Sequence, residues 1–356
     1  MRRAHILFLP LLLVLALAVA CGGSDSSKSE SVGSAGSRPD RVTLRLGYFP
    51  NITHATGIAG IESGIFARNL GDNVTLETAT FNAGPAAVEA LFSGAIDATY
   101  IGPNPAINAF VRSKGEAIRV ISGATSGGAF LIVKPEISNA QDLRGKKVAS
   151  PQLGNTQDVA LRSWLQEQGL KTDLQGGGDV SVLPQENAQS LESFRSGLIA
   201  GAWVPEPWAT RLVLDGGGKI LVDERDLWPG GAYVTTHLVV RTAFLSEHPD
   251  AVARLLSGHV EATAFVNAQP AEAQRLVNDV IERITGKAIA EPVITAAWRN
   301  LVFTNDPIAA SLRASADDAA DFGLLDKGKV KLDGIYHLGP LNEVLRQSGN
   351  QEVQVQ

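Results

Sequence analysis

The sequence predicts an α/β protein of two lobes, hinged by two chain crossings, with a ligand cleft between the lobes. Three observations predict it. From residue 42 onward, short β-branched runs alternate with helical patterns, and strands separated by helices of that length form parallel sheets covered on both faces. A helix–glycine–strand unit occurs twice, at 87–100 and at 190–203, and each strand leads into a polar residue bracketed by prolines, Pro103-Asn104-Pro105 and Pro205-Glu206-Pro207. Beyond residue 240 the pattern is mostly helical, too poor in strands for a sheet of its own, so the tail is expected to return and cover the first block.

The elements follow in order. Residues 42–49 read as a strand, 55–67 as a helix, 74–80 as a strand and 85–92 as a helix with proline in its first turn, where no internal hydrogen bond is lost. Runs at 95–102, 117–122 and 129–133 complete a strand-rich first block. The second block opens with a strand at 145–150 and an amphipathic helix over 156–168 that stops at Gly169. It continues with strands at 179–183, 198–204 and 219–222 and helices at 188–196 and 207–214. After an extended run at 233–240, helices are expected at 255–266, 271–284, 294–301 and 308–322. The crossings fall near 133–135 and 231–236. Lobe 1 is then 41–134 with 234–345, lobe 2 is 135–233, and 346–356 is a C-terminal tail. Two lobes joined twice can hinge and enclose a ligand, and their matched tips bring Asn104 and Glu206 to opposite walls of one cleft.

The N-terminus has a different composition. A basic head, Arg2-Arg3, precedes an apolar run of 15 residues from Ile6 to Ala20, then Cys21 and a Ser/Gly-rich stretch to residue 40. This order describes a secretory leader over 1–20. A run of 15 residues falls short of the roughly 20 that span a hydrocarbon core. Cys21, the only cysteine, is expected to be the acylated first residue of a lipoprotein, with 21–40 as a flexible tether. The anchor (palmitate among its acyl chains) attaches a domain to the cell membrane on its extracytoplasmic face without crossing it.

Removing residues 1–20 from 356 leaves 336, enough for two cores. Without Arg2 and Arg3 the chain carries 29 basic against 37 acidic residues, a formal charge of −8. That balance argues against nucleic acid as a partner. One cysteine forms no intrachain disulfide. No GxSxG elbow or HExxH pair occurs, and the six histidines are dispersed. No catalytic residue, metal ligand or cofactor site is expected, and neither glycine-rich stretch matches a nucleotide-binding pattern.

Candidate ligand contacts gather at strand ends. Asn51 or Thr53 either caps the helix that follows or joins His54, which sits where free N–H groups dock an anion. Ser126 belongs to a small-residue stretch, 122–128, that admits close approach of backbone N–H groups to an oxyanion. Asn155 and Thr156 open the helix at 156, as caps or as ligands of phosphate, sulfonate or nitrate oxygens. Trp203 and Glu206 stand at the end of a strand, where Glu206 meets either Arg211 or a ligand amine assisted by a tryptophan face. Asp223, Glu224 and Asp226 read as a solvated acidic loop.

The segments 44–48, Phe81-Asn82-Ala83-Gly84-Pro85, Gly94-Ala95-Ile96-Asp97, 142–149 and Glu247-His248-Pro249, taken in order, resemble the substrate-binding lipoproteins of ABC importers. More narrowly, the chain resembles their nitrate/sulfonate/taurine/bicarbonate branch over residues 42–345. The resemblance implies a type II periplasmic-binding-protein fold without enzymatic activity, acting as a monomer that delivers a small anion or zwitterion to a permease and its ATPase. It also implies that Asn51, His54, Asn104, Asn155, Thr156, Trp203 and Glu206 carry ligand contacts. Gly201-Ala202-Trp203 departs from the Asp-Ala-Trp of sulfonate binders, so an amine-bearing sulfonate such as taurine suits Glu206 better than a plain alkanesulfonate. A thiamine-precursor-like pyrimidine stacked on Trp203, or nitrate, is the alternative solute, and an enzyme on the same scaffold is the alternative of another class.

Overall fold

A computed structural model describes residues 41–355. The leader at 1–20, Cys21 and the tether to residue 40 lie outside the described residues. The first sheet opens with β1 (Val42–Tyr48), α1 (Ala55–Glu62), α2 (Ile65–Leu70), β2 (Val74–Thr80), α3 (Gly84–Phe92), β3 (Ala98–Ile101), α4 (Pro103–Arg112) and β4 (Ile118–Gly127). The chain then builds a second sheet from β5 (Ala129–Val133), β6 (Lys147–Ser150), α5 (Thr156–Glu167), β7 (Ser181–Pro184), α6 (Asn187–Arg195), β8 (Gly201–Pro205), α7 (Trp208–Leu214) and β9 (Lys219–Asp223). It returns through β10 (Val234–Arg241), α8 (Thr242–Glu247), α9 (Pro249–Ala268), α10 (Pro270–Thr285), α11 (Glu291–Trp298), β11 (Leu301–Phe303), α12 (Ala309–Asp321) and α13 (Gly339–Gln347).

The strand orders are β11-β4-β10-β3-β1-β2 and β7-β6-β8-β5-β9. Apart from β11 at the edge, one order maps onto the other. β2, β1 and β3 are parallel, as are β7, β6 and β8, and each trio is followed by one antiparallel strand, β10 or β5. The repeated helix–glycine–strand unit therefore places β3 and β8 at matching central positions. That is the internal symmetry expected from 87–100 and 190–203.

One expected boundary is corrected. β5 pairs with β8 and β9 rather than with the first block, so the first crossing is Gly127–Gly128 and not 133–135. Both glycines sit at positive φ, 78° and 75°, a backbone that residues with a Cβ rarely adopt. The second crossing precedes β10, and the two are tied side by side. Thr235 Oγ1 donates to the Gly127 carbonyl at 2.5 Å, and the Ala129 N–H donates to the Tyr233 hydroxyl at 3.1 Å.

Each sheet is buried on both faces. α1, α9 and α10 cover one side of the first sheet with Ile58, Leu255 and Val277, while α3, α4 and α12 cover the other with Leu91, Phe110 and Leu312. In the second sheet Trp203 and Trp164 fill one face, Phe194 and Leu212 the other. Six helices of the first lobe, α3, α4, α9, α10, α11 and α13, carry proline in their first turn, where the missing N–H costs nothing. The helix expected at 55–67 divides at Gly64, α4, α8 and α13 form where no element was expected, and the helix expected at 294–301 ends at Trp298, leaving Leu301 to open β11. The expected tail also has structure, since α13 extends into it and Asn342 exchanges two hydrogen bonds with the Val353 backbone at 2.9 Å.

Asp97, ahead of β3, locks the centre of the first sheet. Its side chain is wholly buried and takes bonds from Arg45 Nε, Arg45 Nη2 and Arg241 Nη2, all at 2.8 Å. Burial alone would raise its pKa, but the hydrogen bonds from Arg45 and Arg241 hold it below the usual carboxylate range. Asp97→Asn is expected to destabilise the fold by about 2–3 kcal/mol, less than a wholly buried pair loses. The reason is that Arg45 and Arg241 keep 36% and 23% side-chain exposure. A urea unfolding midpoint equal to wild type would overturn that assignment.

Candidate ligand-binding cleft

The parallel strands of both sheets end at one place. Phe49 follows β1, Gly102 follows β3, Pro151 follows β6 and Pro205 closes β8, and all four line a cavity of about 30 Å³ between the lobes. That is more than the roughly 10–15 Å³ a single water needs, and it suits a compact head group. The same cavity takes Asn51, His54 and Asn82 from the first lobe, Asn155, Thr156, Gln157 and Asn187 from the second, and Thr235 and Thr236 from the start of β10. A groove of about 400 Å³ shares Phe49, Asn51, Asn82 and Asn187 with it and continues past Trp208 and Arg211.

The lobes are shut over this cavity. An ideal Cβ on Gly102 would stand 2.4 Å from Thr156 Oγ1, so the first lobe reaches α5 only because residue 102 has no side chain. Polar bonds cross the cleft on both sides of that contact. Asn82 Nδ2 donates to Glu186 Oε1 at 2.9 Å, Ser163 Oγ to Asp318 Oδ1 at 2.8 Å, and Asn300 Nδ2 to Glu206 Oε1 at 2.7 Å.

Local chemistry sets the start of α5. The Asp158 carboxylate accepts from Ser150 Oγ at 2.6 Å, from the Gly154 N–H at 2.9 Å and from Arg162 Nε at 3.1 Å. Arg162, fully buried, also donates to the Asp173 carbonyl at 2.7 Å. The loop from β6 into α5 is thereby tied to the helix it precedes. Thr156 and Gln157 then present first-turn N–H groups that have no intrahelical acceptor. On the other wall, Thr125 Oγ1 donates to the Thr53 carbonyl at 2.7 Å and pins the loop that carries Asn51 and His54.

Capping does not account for these residues. Neither Asn51 nor Asn155 makes a side-chain cap bond; Asn155 instead donates to Gln157 Oε1 at 3.1 Å. Asn51 Oδ1, Thr156 Oγ1, Asn187 Oδ1 and Thr236 Oγ1 are buried without a hydrogen-bond partner, a cost that a bound polar group would relieve. His54 stacks on Phe49 with centroids 4.3 Å apart, and its Nδ1 accepts from the Phe49 N–H at 3.2 Å. That bond leaves Nε2 as the donor nitrogen of the ring. Burial pushes the His54 pKa down to about 3, so the ring is neutral at physiological pH. Every residue lining the small cavity is then uncharged.

Four expected contacts thus converge: Asn51, His54, Asn155 and Thr156. Four do not. Trp203 is buried at 0% exposure in the core of the second sheet, and its indole donates to Glu224 Oε2 at 2.7 Å, which removes the stacking surface expected for a pyrimidine. Glu206 is spent on structure. It accepts from the Thr210 N–H at 3.0 Å, Thr210 Oγ1 at 2.8 Å and Asn300, and burial raises its pKa. It does not line the small cavity and does not pair with Arg211, which pairs with Asp215 and lies over Trp208. Ser126 sits inside β4, in register with Val234 and Val302, and the stretch 122–128 is strand and crossing rather than an oxyanion loop. Asn104 donates to the Ser315 carbonyl at 2.9 Å and faces a different inter-lobe chamber. Asn104 and Glu206 therefore share no cavity, contrary to the expectation from their matched positions. The acidic loop is corrected as well, since Glu224 is 2% exposed.

Sequence reasoning missed Asn82, Gln157, Asn187, Thr235 and Thr236. Asn82 lay in the segment Phe81–Pro85, and Asn187 at the start of a helix matching one in the first lobe. The threonines had no local signal, because the crossing strand reaches the cleft only through the topology. Among the described residues, no group of three or more His, Cys, Asp or Glu side chains is placed to hold a metal, and no helix is long and apolar enough to cross a membrane.

Residues 37–281 match the NMT1-like family. A Brucella abortus (strain 2308) chain assigned only as a binding protein is 28% identical over 65% of this chain and 69% of its own length. The taurine-binding periplasmic protein of Escherichia coli (strain K12) is 27% identical over 58% of this chain and 61% of its own. The solved alkanesulfonate-binding protein SsuA from Xanthomonas axonopodis pv. citri, bound to MOPS, superposes with a TM-score of 0.68, with 18% identity over 83% of this chain and 99% of that one. That likeness shows that the chain has the two-lobe fold of periplasmic binding proteins.

The buried histidines make stability depend on pH. Burial lowers His54 to about 3, and His237 and His259 to about 4, from about 6.5 in the unfolded chain. Between pH 6.5 and 4 the unfolded chain binds protons that the folded one refuses, so stability falls with pH. Glu224 acts oppositely. Burial raises it to about 7 from 4.5, so its contribution is whole below pH 4.5 and is lost as pH rises through 7. The urea midpoint is expected to fall from pH 6.5 to 4, and to fall more steeply in Glu224→Gln. A flat profile in both proteins would contradict the assigned protonation states.

Proposed function

On the premise that this chain belongs to the NMT1-like family, we propose that it is the extracytoplasmic solute-binding component of an ABC importer. It captures a small anionic or zwitterionic organosulfonate by lobe closure and hands it to a permease and its ATPase. The chain works as a monomer held at the cell membrane through acylated Cys21. The family supports the class of function, and the names of the relatives support the class of solute.

One observation carries the reading. A cavity with no charged lining group gathers two helix starts and four buried oxygens that lack partners. First-turn N–H groups favour negative charge without a counter-ion. Hydroxyls of Thr156 and Thr236 donate alongside them, and the Asn51 and Asn187 amides can turn their NH₂ groups inward. The His54 Nε2–H adds a neutral donor. A sulfonate has three acceptor oxygens for these groups, and its charge does not vary across the pH range where the protein is folded. Ligand bonds made to both lobes at once favour the closed form, because the open form offers only half of them.

Isothermal calorimetry with taurine, ethanesulfonate and nitrate tests the reading. Wild type is expected to bind at least one sulfonate, and Thr156→Val to weaken it about tenfold, close to one hydrogen bond of roughly 1.4 kcal/mol, with an unchanged melting temperature. Absence of binding to all three would remove the proposal. Gly102→Val places methyl groups against Thr156 and holds the lobes apart. It is expected to cost about a hundredfold in affinity, or roughly 2.7 kcal/mol, while far-ultraviolet circular dichroism is preserved. Full affinity in that variant would show that capture needs no closure at this point.

A further inference from the structure

Beside the neutral cavity lies a second inter-lobe chamber of about 240 Å³, larger than the cavity of about 150 Å³ that holds a benzene ring. Thr156 lines both spaces, which makes them neighbours across one side chain. The chamber is walled by α5 and the Glu224–Trp228 segment from the second lobe and by α4 and α12 from the first. Its lining differs in kind from that of the cavity. Glu167, Glu224 and Asp318 face it together with Trp164 and Trp228, and no lysine or arginine lines it.

We propose that this chamber is the subsite for a protonated amine of the solute, with Glu224 as its counter-charge, Asp318 closing from the other lobe and a tryptophan face beside it. The assignment rests on the reading of the neutral cavity as the site of the anionic head. Three observations support it. Glu224 is a carboxylate 2% exposed whose described side-chain bond is the indole N–H of Trp203 at 2.7 Å, and a buried carboxylate needs a cation or several donors. Thr156, 5% exposed and with its hydroxyl lacking a partner, lines both spaces. Asp318 is the residue by which α12 bonds to Ser163 of α5 across the cleft, so closure itself brings the second carboxylate to the chamber. Aromatic faces and carboxylates together select organic cations.

Protonation agrees with that geometry. Burial raises Glu224 to about 7, and burial also raises Asp318. The charged groups around Glu224 are Asp223 and Arg225 on its own segment, already paired with each other, Asp318 from α12 and Glu167 from α5. All but Arg225 are acidic, so they disfavour the charged carboxylate until a cation arrives. An amine entering the chamber draws Glu224 into its ionised form and expels a proton near pH 7.

Taurine and ethanesulfonate differ only by the amine, and the test compares them by calorimetry at pH 7 in two buffers of different ionisation enthalpy. Wild type is expected to bind taurine at least tenfold more tightly than ethanesulfonate, with a buffer-dependent heat for taurine alone. Glu224→Gln keeps an acceptor for Trp203 and is expected to abolish both the preference and the buffer dependence, leaving ethanesulfonate affinity within twofold. Asp318→Asn, on the opposite lobe, is expected to reduce the preference severalfold and carries the test should Glu224→Gln fail to fold. Equal binding of both ligands by wild type, or a preference that survives in both variants, overturns the amine subsite while the anion site stands. Failure of both ligands to bind wild type removes the anion site and the amine subsite with it.

Discussion

Closure of the two lobes depends on a place where side-chain volume is absent. Gly102, at the end of β3, faces the Thr156 hydroxyl so closely that a Cβ would stand 2.4 Å from it. That approach brings the start of α5 against the strand ends of the first sheet and joins loops from both lobes around one cavity. Everything else in the cleft is arranged about it. The Asp158 network holds the loop that delivers Thr156, the Thr125 bond holds the loop that delivers His54, and the glycines of the first crossing bend where larger residues would be strained.

The electrostatics on either side of Thr156 are opposite in character. Toward the strand ends the lining is neutral, with a histidine that burial keeps unprotonated, so an anion is met by N–H and O–H dipoles already in position. Toward α12 the lining is acidic and aromatic.

Much of the fold was legible because its signals are local. Alternating apolar runs, prolines in first turns and stops at Gly94 and Gly197 gave most strands and helices to within a few residues, and the repeated unit gave the symmetry of two sheets. α4 was hidden because Pro103-Asn104-Pro105 reads as a loop, although prolines at the first positions of a helix lose no bond. The position of β5 was hidden for another reason. A buried strand reads alike whichever sheet it joins, and the register that assigns it to β8 and β9 involves residues about 70 to 90 positions away.

The sequence by itself determined that the chain is α/β, that it doubles one unit, and that Asn51, His54, Asn155 and Thr156 stand at element starts facing the ends of strands. Those properties follow from periodicity and turn chemistry, which act over a few residues. Only the tertiary structure decided what each polar side chain touches. Glu206 and Trp203 looked like cleft residues because they end a central strand, yet Thr210, Asn300 and Glu224 take up their hydrogen bonds in the interior. Glu224 looked solvated and is instead enclosed beside the cleft. A buried polar group takes whichever partner packing brings within about 3 Å, and packing across lobes is a property of the whole chain that no short window of residues contains.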